Sequence, residues 1–154
     1  MGCNNDERVR NLEKQTEELK AAVNKNSAAL DYDLQAKCSR DARVWFNENW
    51  SRDKDTVLLD FTNHYNKKLN KCFIVVEYHY NSNFAGTGGG SWTNDMELSD
   101  VYENSKYGRF GENHYTYWKP TVTSSSEVIS CELLDQKCKT IEEFNGLLRP
   151  YMND

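Results

Sequence analysis

The 154-residue chain lacks the features that usually identify a membrane-spanning, nucleic-acid-binding or catalytic protein. Its longest uninterrupted apolar run covers residues 73–76, far short of the roughly 18 residues that a spanning helix needs. The net charge is -5 with no basic block, which argues against a nucleic-acid partner and against electrostatic adhesion to an anionic bilayer. No nucleophile motif such as G-x-S-x-G and no cofactor motif is present. We therefore predict no catalytic residues and no cofactor, and favour a non-enzymatic protein.

What the chain does contain is five cysteines, with Cys3 standing apart from the other four. Four cysteines that can pair are typical of a protein from an oxidising compartment, and the alternative is five reduced thiols in a cytosolic protein. A predicted hairpin puts Cys72 on the apolar face where the helix that carries Cys38 must pack, so we predict a Cys38–Cys72 disulfide. Cys131 and Cys138 bracket a tight predicted hairpin, which gives the second disulfide.

The first part of the chain has the pattern of a long helix with a coiled-coil-like seam. Spacings of three and four residues alternate along it, as heptad a and d positions do, at Val9, Leu12, Thr16, Leu19, Val23, Asn26 and Leu30. Arg8 at a g position and Glu13 at the next e position carry the opposite charges expected between parallel helices. We predict a helical stalk in residues 1–34 and a homo-oligomer through residues 9–30. The alternative is an amphipathic helix that folds back on the body.

Residues 35–154 are predicted to form one α+β domain, pinned by the disulfides, with an antiparallel sheet. The helix continues to about Asn49, and two strands joined by a short loop follow. Residues 81–94 are rich in turn formers, and shorter strands are expected at residues 96–102, 109–110, 114–119 and 127–133. A capping box of Thr140 and Glu143 starts a last helix, which we expect to end at Pro150 and to pack on the sheet.

The first hairpin also predicts which side chains share a face of the sheet. Symmetric closure of its loop pairs Leu59 with Tyr78, Phe61 with Val76 and Tyr65 with Cys72. The opposite face is then polar, with Asp60, Thr62, His64, Glu77 and His79. On that face His64, Glu77 and His79 are candidate metal ligands, because imidazole and carboxylate groups bind zinc. A metal-binding or hydrolytic periplasmic protein is thus an alternative function, and solvated histidines are the simpler interpretation.

Aromatic side chains crowd the segment between residues 102 and 118. The candidates for a binding patch are Tyr107, Phe110, Tyr115, Tyr117 and Trp118. Clustered Tyr and Trp on edge strands are typical of protein–protein interfaces, although the same residues fit a β core equally well. A protein partner is therefore predicted. A purely structural envelope spacer is the alternative if the stalk is the only part that assembles.

The dipeptide Gly2-Cys3 resembles the cleavage junction of bacterial lipoproteins, in which a small residue precedes the cysteine that receives the lipid. The resemblance implies a diacylglycerol on Cys3, an export signal removed from in front of it, and a location in the bacterial cell envelope. Asn4 in place of Asp implies the outer membrane, facing the periplasm or the surface. Dual acylation of a eukaryotic type is an alternative, but Asp6 stands where Ser or Thr is expected. The other alternative is that Cys3 is an unmodified thiol.

The body carries a second resemblance, in residues 63–66 and 68–73. These stretches resemble a segment of bacterial secreted proteins that have no assigned activity. The resemblance implies a bacterial origin and brings no substrate with it. Together the patterns predict a non-enzymatic cell-envelope lipoprotein that is tethered to the membrane by the lipid on Cys3 and binds a protein partner.

Overall fold

The computed structural model describes residues 3–84, 88–117 and 121–153, apart from the side chains at positions 3, 4, 83 and 84. Within these ranges the fold is α+β, with a long first helix, an antiparallel sheet and a last helix, as predicted. The elements are α1 Cys3–Asn49, β1 Thr56–Asn66, β2 Lys71–Phe84, β3 Gly89–Asp100, β4 Ser105–Tyr117, β5 Thr123–Leu133, β6 Gln136–Lys137 and α2 Ile141–Met152. Two compact units divide the chain at residues 36 and 37. Among the described residues, no helix has both the length and the apolarity for crossing a membrane.

Helix α1 is continuous because neither Gly nor Pro interrupts it between Cys3 and Asn49. In the first unit, Met1–Ala36, the apolar side chains at the predicted seam positions are all more than half exposed: Val9, Leu12, Leu19, Val23 and Leu30. Thr16 donates its hydroxyl to the carbonyl oxygen of Leu12 at 2.8 Å, within the helix. The seam therefore presents an apolar stripe to the outside of the single chain.

The six strands form one antiparallel sheet in which each strand pairs with its neighbours in sequence. The predicted register of the first hairpin is confirmed, with Leu59 opposite Tyr78, Phe61 opposite Val76 and Tyr65 opposite Cys72. The prediction of turns over residues 81–94 was wrong. Strand β2 runs on to Phe84 and β3 begins at Gly89, because twelve consecutive cross-strand pairs join them from Phe73–Asp100 to Phe84–Gly89. Likewise, the short strands expected at residues 109–110 and 114–119 belong to one strand, β4, which the structure describes as far as Tyr117.

Helices cover both faces of the sheet, so the predicted polar face is only partly polar. On the α1 face, Phe46 packs against Phe61 with ring centroids 4.6 Å apart. On the α2 face, Phe73 and Val75 are buried in a core that includes Phe144. The continuous apolar run of residues 73–76 explains why both faces are buried. Successive side chains of a strand point to opposite faces, so an unbroken apolar run places apolar side chains on each of them.

Two disulfides hold this arrangement, as predicted. Cys38 of α1 bonds to Cys72 of β2 with Cα atoms 5.4 Å apart, and Cys131 bonds to Cys138 with Cα atoms 4.9 Å apart. Their sequence separations are 34 and 7 residues. On the chain-entropy argument they stabilise the fold by about 4 and about 2 kcal/mol respectively. Disulfides are consistent with a non-cytoplasmic compartment.

An ion pair fixes the turn between β3 and β4. Asp100 is fully buried, and its carboxylate accepts hydrogen bonds from the backbone N–H groups of Tyr102 and Glu103. Lys71 reaches both Asp100 and Glu103 at 2.6 Å. The hydrogen bonds that Lys71 donates, first to Asp100 and then to Glu103, raise the pKa of Lys71. The turn is therefore tied to the start of β2.

Helix α2 begins at the predicted capping box. The backbone N–H of Glu143 donates to Oγ1 of Thr140 at 3.2 Å, and Oε2 of Glu143 accepts from the N–H of Lys139 at 2.7 Å. The prediction that the helix ends at Pro150 was wrong, since it continues to Met152. Proline costs only one intrahelical bond there, and the N–H of Asn153 still donates to the carbonyl oxygen of Arg149.

Phe144 is the natural test of the α2-face core, because its side chain is fully buried against Phe110. We expect Phe144→Ala to lower the free energy of unfolding by about 3–5 kcal/mol in urea denaturation, since it leaves a cavity. Gly146→Ala on the same helix is the matched control. A Cβ at Gly146 meets nothing within 4 Å, so this change should raise stability by about 1 kcal/mol. Equal effects of the two changes would contradict the packing.

Candidate functional site

The second unit, residues 37–154, holds a cleft on the α1 face of the sheet, which we call the α1-face cleft. Its volume is about 330 Å³, close to the lower end of small-molecule sites. The residues that define it are Trp50, Tyr78, Tyr80, Asp95, Glu97 and Arg109, and Val76 and Met96 complete the lining. Aromatic rings from one end of α1 and from β2 thus face charged groups from β3 and β4.

The aromatic wall follows from strand alternation. Tyr78 and Tyr80 are two residues apart on β2 and so point to the same face, with ring centroids 5.4 Å apart. Trp50 directly follows α1 and lies 6.0 Å from Tyr78, ring centroid to ring centroid. All three side chains are partly exposed. The wall is therefore accessible to a ligand.

The ionic wall consists of two neighbouring pairs. Arg109 donates to Oδ1 of Asp95 from both Nε, at 3.1 Å, and Nη2, at 2.7 Å. Lys106 Nζ lies 2.5 Å from Oε2 of Glu97. Strand pairing places Arg109 directly opposite Glu97, so that its guanidinium reaches diagonally to Asp95. Each carboxylate in the cleft therefore has its own cation.

Gly111 leaves room for this ionic wall. It lies directly opposite Asp95, and a Cβ built on it would stand 2.6 Å from Oδ1 of Asp95 and 2.8 Å from Oγ of Ser130. Any larger residue would push the carboxylate out of the position in which Arg109 binds it. Glycine is thus required by the close approach of the Asp95 side chain.

A row of histidines and one tryptophan occupies the opposite face of the sheet. Trp92 stacks on His114 with ring centroids 3.7 Å apart and planes 1° apart. His114 Nε2 lies 3.1 Å from Glu112, and His79 Nε2 lies 3.1 Å from Glu77. His79 and His114 thus each lie beside a glutamate carboxylate on this face.

The structure does not bring the predicted metal ligands together. Glu77 and His79 are adjacent on the α2 face of β2, but His64 on β1 lies opposite Phe73. Six residues of strand separate that position from His79, a distance of about 20 Å at 3.3 Å per residue. Among residues 3–84, 88–117 and 121–153, no group of three or more His, Cys, Asp or Glu side chains is placed to hold a metal ion.

The predicted aromatic patch is divided between the core and the surface. Phe110 is fully buried in the α2-face core, and Tyr107 packs edge-on against Phe73 at 5.2 Å, so neither belongs to an open binding surface. Tyr115 is partly exposed and Tyr117 is 47% exposed. Trp118 lies outside the described residues.

Tyr115 and Tyr117 lie beside an open edge of the sheet. Their cross-strand partners on β5 are Ser125 and Thr123, and no described strand pairs with the outer side of this part of β5, because β6 pairs only with Glu132 and Leu133. The side chains of residues 123–129 are all exposed. We call residues 123–129 the β5 edge.

The alternation of backbone groups tells which residues of the β5 edge face outward. The carbonyl of Tyr107 in β4 points toward β5, where it accepts from the N–H of Leu134 at 2.7 Å. The backbone N–H and C=O groups of alternate residues of β4, including Tyr115 and Tyr117, therefore point toward β5 and bond to it. Their partners face inward, which leaves the N–H and C=O groups of Ser124, Ser126 and Val128 on the outside.

The other edge of the sheet is closed by side chains. On β1 the carbonyl of Leu59 accepts from Nη2 of Arg52 at 3.1 Å, and the N–H of Phe61 donates to Oδ1 of Asp60 at 2.8 Å. Side-chain bonds of this kind protect an edge from pairing with another chain. In the described residues no side-chain hydrogen bond of this kind covers Ser124, Ser126 or Val128. The two edges therefore differ in their capacity to accept a strand.

The predicted lipid site begins α1. Cys3 is the first residue of that helix, and its side chain lies outside the described residues, as do Met1 and Gly2. The four remaining cysteines are consumed by the two disulfides.

Comparisons of the chain with protein-family models, with curated proteins and with solved structures found no match. Its function must therefore be inferred from its own residues.

Proposed function

We propose that the chain is a non-enzymatic lipoprotein of the bacterial cell envelope, anchored through Cys3, which self-associates through residues 9–30 and binds an extended segment of a protein partner at the β5 edge. The two disulfides support a location outside the cytoplasm. The resemblance of Gly2-Cys3 to a lipoprotein junction supports the anchor, and Asn4 supports the outer membrane.

The exposed seam supports self-association. Its apolar side chains are more than half exposed in the single chain, and burying them against a second copy would remove them from water. The a positions include the β-branched residues Val9, Thr16 and Val23, and the d positions include Leu12 and Leu19. This combination favours a parallel coiled coil of two helices. Arg8 of one helix would then face Glu13 of the other.

The β5 edge is the observation that carries the binding function. An extended segment that pairs with it would bond to the outward groups of Ser124, Ser126 and Val128, which is the mode called β-augmentation. Its side chains would lie next to those of β5, and Tyr115 and Tyr117 would lie one strand further into the sheet. The edge carries one charge, Glu127, and no proline, so neither repulsion nor a missing N–H opposes the added strand.

The anchor is tested by replacing Cys3. We expect the chain expressed with its export signal in the native host to remain with the membranes, and to need detergent for extraction, because several acyl chains together anchor a protein stably to a bilayer. Cys3→Ala should release it, and the intact mass of the parent chain should exceed its sequence mass by the lipid. Unchanged partitioning of Cys3→Ala, or a parent mass equal to the sequence mass, would contradict lipidation.

Self-association is tested at a d position of the seam. In sedimentation equilibrium of the full chain with Cys3→Ser, we expect a dimer, and we expect Leu19→Glu to reduce it to a monomer, because a charge would be buried in the seam. Ala21→Glu, two residues further on and at an outward f position, is the matched control and should leave the mass unchanged. A monomeric parent, or equal masses of all three chains, would exclude the coiled coil.

The β5 edge is tested by a photoreactive residue at position 126. In living cells it should crosslink to a defined protein, whereas the same residue at Val57, exposed beside the closed β1 edge, should not. Ser126→Pro, with the crosslinker moved to position 124, should lower the yield about tenfold, because proline removes the outward N–H and leaves the inner ladder intact. Ser126→Ala should not. Equal capture at positions 126 and 57, or equal yields for both variants, would refute the site.

A further inference from the structure

The α1-face cleft plays no part in the proposed strand pairing, and its two walls are chemically different. One wall is aromatic, from Trp50, Tyr78 and Tyr80, and the other is ionic, from Asp95 and Arg109. A ligand that fills it must therefore offer an apolar face on one side and hydrogen-bonding groups on the other.

The charges of the cleft are internally compensated. Asp95 is held by two hydrogen bonds from Arg109, and Glu97 is paired with Lys106. A charged ligand would have to displace one of these pairs or enter without a counter-charge, and both cost free energy in a partly buried site. The ionic wall therefore selects for a neutral ligand.

Hydrogen-bonding capacity nevertheless remains in the ionic wall. Arg109 makes both of its contacts to Oδ1 of Asp95, so that among the described residues Oδ2 receives no hydrogen bond. The same contacts use Nε and Nη2 and leave Nη1 of Arg109 to donate. The Arg109 side chain is 45% exposed, so this donor is within reach. One acceptor and one donor of this ion pair thus remain for a ligand.

We propose that the α1-face cleft binds a neutral saccharide, as one or two sugar rings of a glycan. A pyranose ring has an apolar face of C–H groups that packs on tyrosine and tryptophan, and its rim carries hydroxyl groups that both donate and accept. The first feature matches the aromatic wall, and the second matches Oδ2 of Asp95 and Nη1 of Arg109. The volume of about 330 Å³ suits a ligand of this size.

The proposal is tested first by the full chain on an array of oligosaccharides. The array carries neutral oligomers of glucose, galactose, mannose and N-acetylglucosamine, acidic oligomers with uronic or sialic acids, and cationic glucosamine oligomers. We expect binding to a neutral group, confirmed by titration calorimetry with the best oligomer. Binding only to charged oligomers, or no binding at millimolar concentration, would overturn the proposal.

Matched variants then locate the site. Tyr80→Ala should weaken binding about tenfold by removing a stacking ring, and Tyr80→Phe should retain it. Trp92→Ala removes an exposed aromatic ring from the opposite face and should leave the affinity unchanged. Ser126→Pro should also leave it unchanged, which separates this site from the β5 edge. Equal losses in Tyr80→Ala and Trp92→Ala would overturn the proposal.

A change of charge in the ionic wall should raise the affinity for an acidic oligomer, and an unfolded variant could not show such a gain. Asp95→Asn leaves Arg109 without its counter-charge, so this variant should lose affinity for the neutral oligomer and gain affinity for an acidic one by about tenfold. A gain of binding requires a folded cleft. If Asp95→Asn leaves both affinities unchanged, Asp95 and Arg109 do not contact the ligand and the proposal fails.

Discussion

The bond between Cys38 and Cys72 is the constraint on which the second unit depends. It joins the last part of α1 to the second strand of the sheet, and it closes the longer of the two disulfide loops. Around it the helix is held mainly by single contacts, such as the Phe46–Phe61 ring pair and the hydrogen bond that Trp45 donates to Asn104 at 2.7 Å. Each such contact stabilises a docked helix by a small amount, whereas the covalent bond ties the helix to β2 at Cys38 and restricts the unfolded chain as well.

One residue of the α1-face cleft depends on the position of the helix that this bond holds. Trp50 follows α1 directly, and so its distance from Tyr78 depends on where the helix lies. The ionic wall is independent of the helix, because Asp95 and Arg109 are set by the β3–β4 register and by the space above Gly111. Only Trp50 therefore depends on the position of α1, whereas Tyr78 and Tyr80 are set by β2 and the ionic wall by strand pairing.

The sequence was most informative where a periodic pattern was long. The β1–β2 register followed from alternation and one short loop, and it placed Cys72 correctly under the helix of Cys38. The predicted pairing put Tyr78 on the same face as Cys72, and Tyr80, two residues further along the strand, shares that face, so these two residues of the aromatic wall could be predicted from the pattern. The ionic wall was not, because glycine, serine and asparagine between residues 81 and 94 indicate turns and conceal the start of β3. Because the sequence did not predict this part of β3, the ion pair between Asp95 and Arg109 could not be predicted either.

Burial on both faces of the sheet explains the other differences. Phe110 was a candidate for a binding patch, yet it lies fully buried beside Phe144, because α2 covers a face that looked polar from His64, Glu77 and His79 alone. A strand pattern shows which residues share a face but not which helix will cover it. The same limit applies to the β5 edge, whose exposure depends on the whole strand order and not on any residue within it.

Self-association of the chain would strengthen binding at the α1-face cleft and at the β5 edge. A cleft of about 330 Å³ and a single edge strand each bury little surface, and sites of that size bind weakly on their own. Pairing through the seam of residues 9–30 would place two copies of each site on one assembly. Binding at the second copy of a site then becomes intramolecular, which raises its effective concentration if both copies can reach the target. Weak recognition at each site, doubled by self-association through α1, would give strong attachment to a repetitive target such as a glycan and little attachment to an isolated ligand.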